Sequence, residues 1–264
     1  MKTALVLSGH MRNYKGAYEN QKEALIRPNN CDIFIVTSTV NTFVYMNGMS
    51  ASDKPGVHRH LPAENGSQGF IEIHEYDREK LEQEIRGFYG DRLKGLLIEE
   101  EKVDNILNKN QFPDDRKLSG HHWAWHRVKQ SNELRKSYEK KTGDVYDAVI
   151  KSRTDLVFNK VVKVKDYNLR NNQIFLCQHH AYPKIKLHDQ FAFGLPKAMD
   201  IYCNMYDHYG KFREESVHGG YKSEHQLNDY LMSENLDLKL IKQRRFFGML
   251  RGGYTDTDDK RVQV

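Results

Sequence analysis

The chain of 264 residues has little cysteine and little proline: three of one (Cys31, Cys177 and Cys203) and six of the other. Three thiols at wide spacing exclude a disulfide scaffold and the paired spacing of a zinc ribbon, and they suit a reducing, cytoplasmic setting. No run approaches the ~20 apolar residues of a membrane-spanning helix. The opening Thr3–Leu7 is too short for the apolar core of a secretory signal and reads straight into a strand. A dominant charge of one sign is missing too, since 41 Lys and Arg face 36 Asp and Glu, for a net +5. Cations alternate with acids along most of the chain instead of gathering into the stripe that binds a polynucleotide, so nucleic acid is not the expected partner. Two local basic stretches, 160–165 and 239–251, suit a small anion such as a nucleotide diphosphate. Aromatics are plentiful, with 15 Tyr, 12 Phe and 2 Trp, which excludes disorder.

Strand and helix patterns alternate from end to end. Residues 3–7 (TALVL) and 32–37 (DIFIVT) are short apolar runs that predict buried strands, each ending in a polar loop. Residues 14–26 predict a helix, 46–69 a long loop, 70–76 (FIEIHEY) a strand, 78–107 a charged helix and 108–120 a further loop. A helix is expected over 123–140. The segment 146–158 (YDAVIKSRTDLVF) predicts a strand that pauses at Ser152-Arg153-Thr154-Asp155 and resumes. Strands at 173–177 and 190–194, a helix placing Ala198, Ile201, Met205 and Tyr209 on one face, and a last helix over 223–232 complete the pattern. This alternation predicts an α/β fold, an open, mostly parallel Rossmann-like sheet flanked by helices. We expect a single domain, 1–264, with a donor-binding half over about 1–158 and an acceptor half over about 159–264.

Ligands of open α/β sheets sit beyond the carboxyl ends of the strands. Three polar clusters fall there: Ser8-Gly9-His10-Met11-Arg12, Thr37-Ser38-Thr39 and Arg153-Thr154-Asp155. A carboxylate beside a guanidinium after a strand can hold a cation on a diphosphate, or can simply pair with the arginine to stabilise the strand end. His122 and His126 have the i, i+4 spacing of zinc helices, but no Glu separates them. Better than zinc is a helix N-terminus at a cleft, where Trp123 packs or stacks and His121 or His122 donates to a phosphate or sugar hydroxyl; a purely structural role, with the aromatic residues anchoring this helix, stands equally beside it. His179 and His180 line the acceptor side or sit exposed. The basic aromatic stretch 244–251 either closes over the diphosphate or meets a surface or partner.

Taken in order, SGHMR, DIFIVTS, YEKKTGDVYDAVIKSRTDLVF, HDQFAFG and SEHQLNDYL resemble a family of GT-A-fold nucleotide-sugar glycosyltransferases from bacterial polysaccharide loci and large DNA viruses. The resemblance covers residues 2 to about 240. It implies transfer of a sugar from a nucleotide diphosphate sugar to a glycan hydroxyl, with Arg153-x-Asp155 resembling a degenerate D-x-D motif. On that reading Asp155 is the metal ligand for Mn²⁺ or Mg²⁺, which would act on the diphosphate as a Lewis acid. Ser8, Gly9, His10, Arg12, Thr37, Ser38, His122, Trp123 and Arg153 would complete the donor site. A carboxylate must take the acceptor proton if the reaction inverts, and Asp189 and Glu224 are the two candidates. Each has a structural alternative: Asp189 can cap the segment that follows it, and Glu224 suits the first turn of a helix regardless of catalysis. A rival function is a non-catalytic module of the same fold that binds a nucleotide or glycan; a basic RNA-binding domain is the third.

Overall fold

The computed structural model describes residues 1–46, 57–61, 69–100, 120–178, 187–209, 223–241, 247–251 and 254–255. In chain order its elements are β1 (Thr3–Ser8), α1 (Tyr14–Gln21), β2 (Cys31–Ser38), β3 (Val40–Met46), β4 (Val57–Leu61), β5 (Gly69–Glu75), α2 (Arg78–Tyr89), β6 (Leu93–Glu99) and α3 (Gly120–Thr142). They continue with β7 (Ala148–Ser152), β8 (Leu156–Phe158), β9 (Gln173–Gln178), β10 (Leu187–Gly194), α4 (Pro196–Cys203), α5 (Met205–His208), α6 (Ser223–Ser233), β11 (Asp237–Ile241), β12 (Phe247–Arg251) and β13 (Tyr254–Thr255). After α1 the helical path widens into a π-turn over Lys22–Ile26 and ends at Asn30, whose left-handed backbone (φ 48°) closes it. Asp77 starts α2 by accepting the Lys80 amide at 2.9 Å.

Seven strands form the main sheet in the order β11-β9-β10-β7-β1-β2-β6. β1 runs parallel to β2 and β7, β2 to β6 and β11 to β9, while β10 runs against both of its neighbours. The apolar runs of β1, β2 and β7 are explained by burial on both faces, as parallel strands require. Alternation sends Leu5, Leu7, Ile33, Ile35 and Ile150 into a core with Tyr14, Leu25, Leu81 and Ile85. Ala4, Val6, Phe34 and Val149 face the opposite way, into a second core with Trp125, Val128, Met199, Tyr202 and Leu227. Helices therefore cover both faces, in three layers. Buried Arg135 ties α3 to α4 through Asp200 at 2.5 Å and also pairs with Glu139 at 2.6 Å.

Chain direction across the sheet reverses at β1, which has β2 and then β6 on one side and β7 on the other. This is the switch point at which a crevice opens beyond the carboxyl ends. Leu7 pairs with Ser152, so the Ser8-Gly9 and Ser152-Arg153 turns lie side by side there.

Three expectations are corrected. The 46–69 stretch is not all loop, because β4 lies within it and forms an antiparallel sheet with β5 and β3. The 78–107 segment is not one helix: α2 ends at Tyr89 and Leu93–Glu99 is the edge strand β6. Edge position explains the misreading, since β6 is only partly buried and charged residues flank its apolar centre. Finally, the strand that resumes after Asp155 leaves the main sheet, and β8 pairs with β12. The expected loop at 108–120, apart from Gly120, and the His179–His180 pair lie outside the described residues.

β9 and β10 approach closely enough to test. A Cβ on Gly194 would stand 2.8 Å from the Gln173 carbonyl oxygen, a backbone atom that cannot swing aside. Gly194→Ala is expected to cost about 1–3 kcal/mol, the usual penalty for overpacking. Urea unfolding checks it through a lower midpoint at unchanged slope; an unchanged midpoint would refute the strand packing described.

Candidate functional site

Beyond β1 the chain turns through Gly9, whose φ of +124° is a conformation that side chains disfavour. Its amide donates to the Val36 carbonyl at 3.2 Å, and the next carbonyl, of His10, accepts Thr154 Oγ1 at 2.8 Å. From the other side, the buried Gln21 amide reaches the carbonyls of Arg153, Thr154 and Leu156 at 3.0, 3.1 and 2.8 Å. A segment that leaves the sheet must place its backbone groups elsewhere, and the end of α1 supplies the donor.

Asp155 is at the centre of this turn and is fully buried. Arg153 grips it with both arms, Nε to Oδ1 at 2.8 Å and Nη2 to Oδ2 at 2.7 Å, and Arg12 Nη1 lies 3.5 Å from Oδ2. Burial would lower the Arg153 pKa, but the Asp155 charge and hydrogen bonds outweigh it and raise it. Both guanidinium groups keep some exposure, 24% for the Arg153 side chain and 15% for Arg12, against 1% for Asp155. Two partly exposed cations thus lie over one buried anion. The fit to a metal at Asp155 is poor: both carboxylate oxygens are engaged by guanidinium groups, and a divalent ion would have to displace them. In this structure Asp155 anchors the two arginines.

His10 is held by protein partners at both ring nitrogens. Nδ1 donates to the Val40 carbonyl at 2.5 Å, which fixes the tautomer, and Nε2 is left to accept Arg127 Nη1 at 3.3 Å. Burial first, and then the charges of Arg127 and Arg12, push its pKa well below the usual histidine value. Ser38 Oγ donates to the same Val40 carbonyl at 2.8 Å, and Thr37 and Ser38 are both fully buried. Ser38 thus serves the backbone, whereas the buried Thr37 hydroxyl has no hydrogen-bond partner among the described residues. Ser8 is likewise buried, and Gly9 serves through its turn.

Arg127 also pairs with Glu99 at 2.7 Å, and His126 meets the other Glu99 oxygen at 3.2 Å. Burial favours the protonated Glu99, but these partners outweigh it and lower its pKa. His122 and Trp123 sit at the start of α3 in an aromatic cluster: His122 is 4.6 Å from Tyr206 and 5.8 Å from Tyr209 between centroids, and Trp123 is 5.6 Å from His126. Their contacts favour the packing alternative over stacking on a ligand. Trp125 is the buried tryptophan of this helix, and its indole N–H donates to Ser223 Oγ at 2.9 Å.

The second pole lies on β10 and the start of α6. Asp189 and Glu224, alternatives in the sequence, are brought together with His188, and one ligand-capable atom from each lies within 4.8 Å of the others. The Asp189 carbonyl accepts two buried donors, Lys151 Nζ at 2.6 Å and Tyr202 OH at 2.9 Å. Burial pulls the Lys151 pKa down to about 8 against the opposing Asp189 charge. For the Asp189 carboxyl itself, burial acts to raise the pKa, but His188, Lys151 and Ser223 prevail and hold it below the carboxylate range. Asp189 also contributes to the field on Arg153, and its strand β10 pairs with β7, which ends just before Arg153.

Gln21, Glu99, Arg127, Lys151 and Tyr202 escaped the sequence reading. They belong to no motif, and only the fold gives them partners. Lys151 alone carried a signal, as a charge inside the apolar strand AVIKS.

No protein-family model matches the chain, and no curated protein matches it. No helix among the described residues is long and apolar enough to cross a membrane.

Two outcomes check the geometry. Asp155→Asn leaves the Arg153 charge without its counterion and should cost roughly 3 kcal/mol, the low end for breaking a buried pair because Arg153 keeps some water; chemical denaturation measures it. Folded His10 resists protonation while the unfolded residue takes a proton near pH 6.5. Stability should therefore fall as pH drops below about 6.5, by at most ~1.4 kcal/mol per unit from this group. His10→Gln should flatten that acid slope relative to wild type, and an identical slope would refute the buried neutral imidazole.

Proposed function

We propose that the chain is a glycosyltransferase of GT-A type, moving a sugar from a nucleotide diphosphate sugar to a glycan hydroxyl. The observation that carries the reading is the Arg12–Asp155–Arg153 arrangement at the β1–β7 switch point, with the His188–Asp189–Glu224 pole starting on the neighbouring strand β10. Main-sheet strands counted along the chain lie in the order 3-2-1-4-6-5-7 with the sixth reversed, which is compatible with that fold.

The chemistry follows from charge development. As the sugar leaves, negative charge grows on the departing diphosphate. Cations already fixed in place stabilise it without reorganising. Arg153 uses two of its five N–H donors on Asp155, which leaves others for phosphate oxygens, and Arg12 adds its charge beside them. Asp155 is the buried counter-charge that holds the fork in position. At the other pole, a carboxylate oxygen of Asp189 or Glu224 orients the acceptor hydroxyl and receives its proton. The three cysteines are free and buried, which suits a reducing cytoplasm.

A thermal-shift series with uridine, guanosine and thymidine diphosphate sugars tests the reading, because a ligand of the native state raises its stability. At least one donor should raise Tm, and Arg12→Gln should weaken its binding ~10- to 100-fold, as expected for lost hydrogen bonds to a charged group. No shift with any donor would overturn the assignment. A shift without transfer to any acceptor in a glycan panel would make the protein the non-catalytic module.

A further inference from the structure

We propose that His188, Asp189 and Glu224 form a divalent-cation site on the acceptor side of the cleft, suited to Mn²⁺. As part of a transferase the site rests on the reading above; as a cation site it is testable without any substrate.

The ligand set combines one imidazole nitrogen with two carboxylate oxygens, a mixture that suits manganese and zinc better than calcium. It is assembled from two elements, the start of β10 and the first turn of α6, and it is the single grouping of this kind among the described residues. Consecutive residues of a regular strand point to opposite faces, so His188 and Asp189 would not ordinarily converge. Here the β10 register shifts between Leu187 and Ala192, and His188 Nδ1 comes within 3.6 Å of Asp189 Oδ1. Irregularities of this type re-aim side chains next to functional sites. Lys151 and Tyr202 then fix the backbone at Asp189 by donating to its carbonyl, while His188 and Ser223 bond to its carboxylate.

A second observation comes from two amides flanking the cluster. Gln226 is fully buried, one turn beyond Ser223 on the buried face of α6, and neither atom of its amide has a hydrogen-bond partner among the described residues. Gln190, next to Asp189, has a buried amide oxygen in the same state. Buried polar groups are nearly always satisfied, and exceptions point to a bound water or ion.

The test is Mn²⁺ titration of the full chain followed by electron paramagnetic resonance. Wild type should take up one ion and show coupling to a directly bound imidazole nitrogen. His188→Ala should abolish that coupling, and Glu224→Gln, which preserves shape, should weaken uptake at least tenfold with Tm close to wild type. Arg12→Gln should leave uptake unchanged. Absence of uptake, uptake without nitrogen coupling, or uptake indifferent to Glu224→Gln would overturn the site. Donor binding measured on the same samples separates the two claims. Donor binding without Mn²⁺ uptake removes the site and keeps the transferase reading, whereas uptake without donor binding does the reverse.

Discussion

One buried carboxylate organises the cleft. Asp155 has essentially no access to water and is held by Arg153 and Arg12 together. A lone carboxylate there would be costly to bury, and so would either guanidinium without it. The pair and its neighbour therefore stand or fall as a unit, which accounts for the detailed support around them. Gln21 catches three carbonyls of the turn and Thr154 ties it to His10. The result is a fixed positive surface whose counter-charge lies beneath it, out of reach of a ligand. That arrangement suits recognition of a diphosphate and does not suit coordination of a metal at Asp155.

β7 links this surface to the opposite pole. Two residues before Arg153, Lys151 reaches across to the Asp189 carbonyl, where Tyr202 joins it from α4. Strand order makes the link possible, because β7 lies between β1 and β10. Any shift of β7 moves both poles together. The field connects them as well, since Asp189 acts on both Lys151 and Arg153.

The sheet was largely legible in the sequence because buried parallel strands write continuous apolar runs, as in Thr3–Ser8 and Ala148–Ser152. β6 was not, since an edge strand is half wet and its flanking charges imitate a helix. The carboxyl-end rule pointed to Arg12, Arg153 and Asp155, but it could not assign their roles. A carboxylate two residues from an arginine reads equally as a metal ligand or as an anchor, and only the bidentate geometry decides. Thr37 and Ser38 show the same limit: hydroxyls at a strand end belong to a ligand or to the backbone, and Ser38 belongs to Val40. Glu99 and Arg127 depend on contacts between distant segments and left no local trace.

The central claim is that Arg12 and Arg153 read a diphosphate. Calorimetric titration of a nucleoside diphosphate against the matching uncharged nucleoside tests it most directly. The account predicts that the diphosphate binds at least ~10-fold tighter, as charge-assisted bonds require, and that Arg12→Gln reduces this preference. Equal affinity for the two ligands, or a preference that Arg12→Gln leaves untouched, would contradict it.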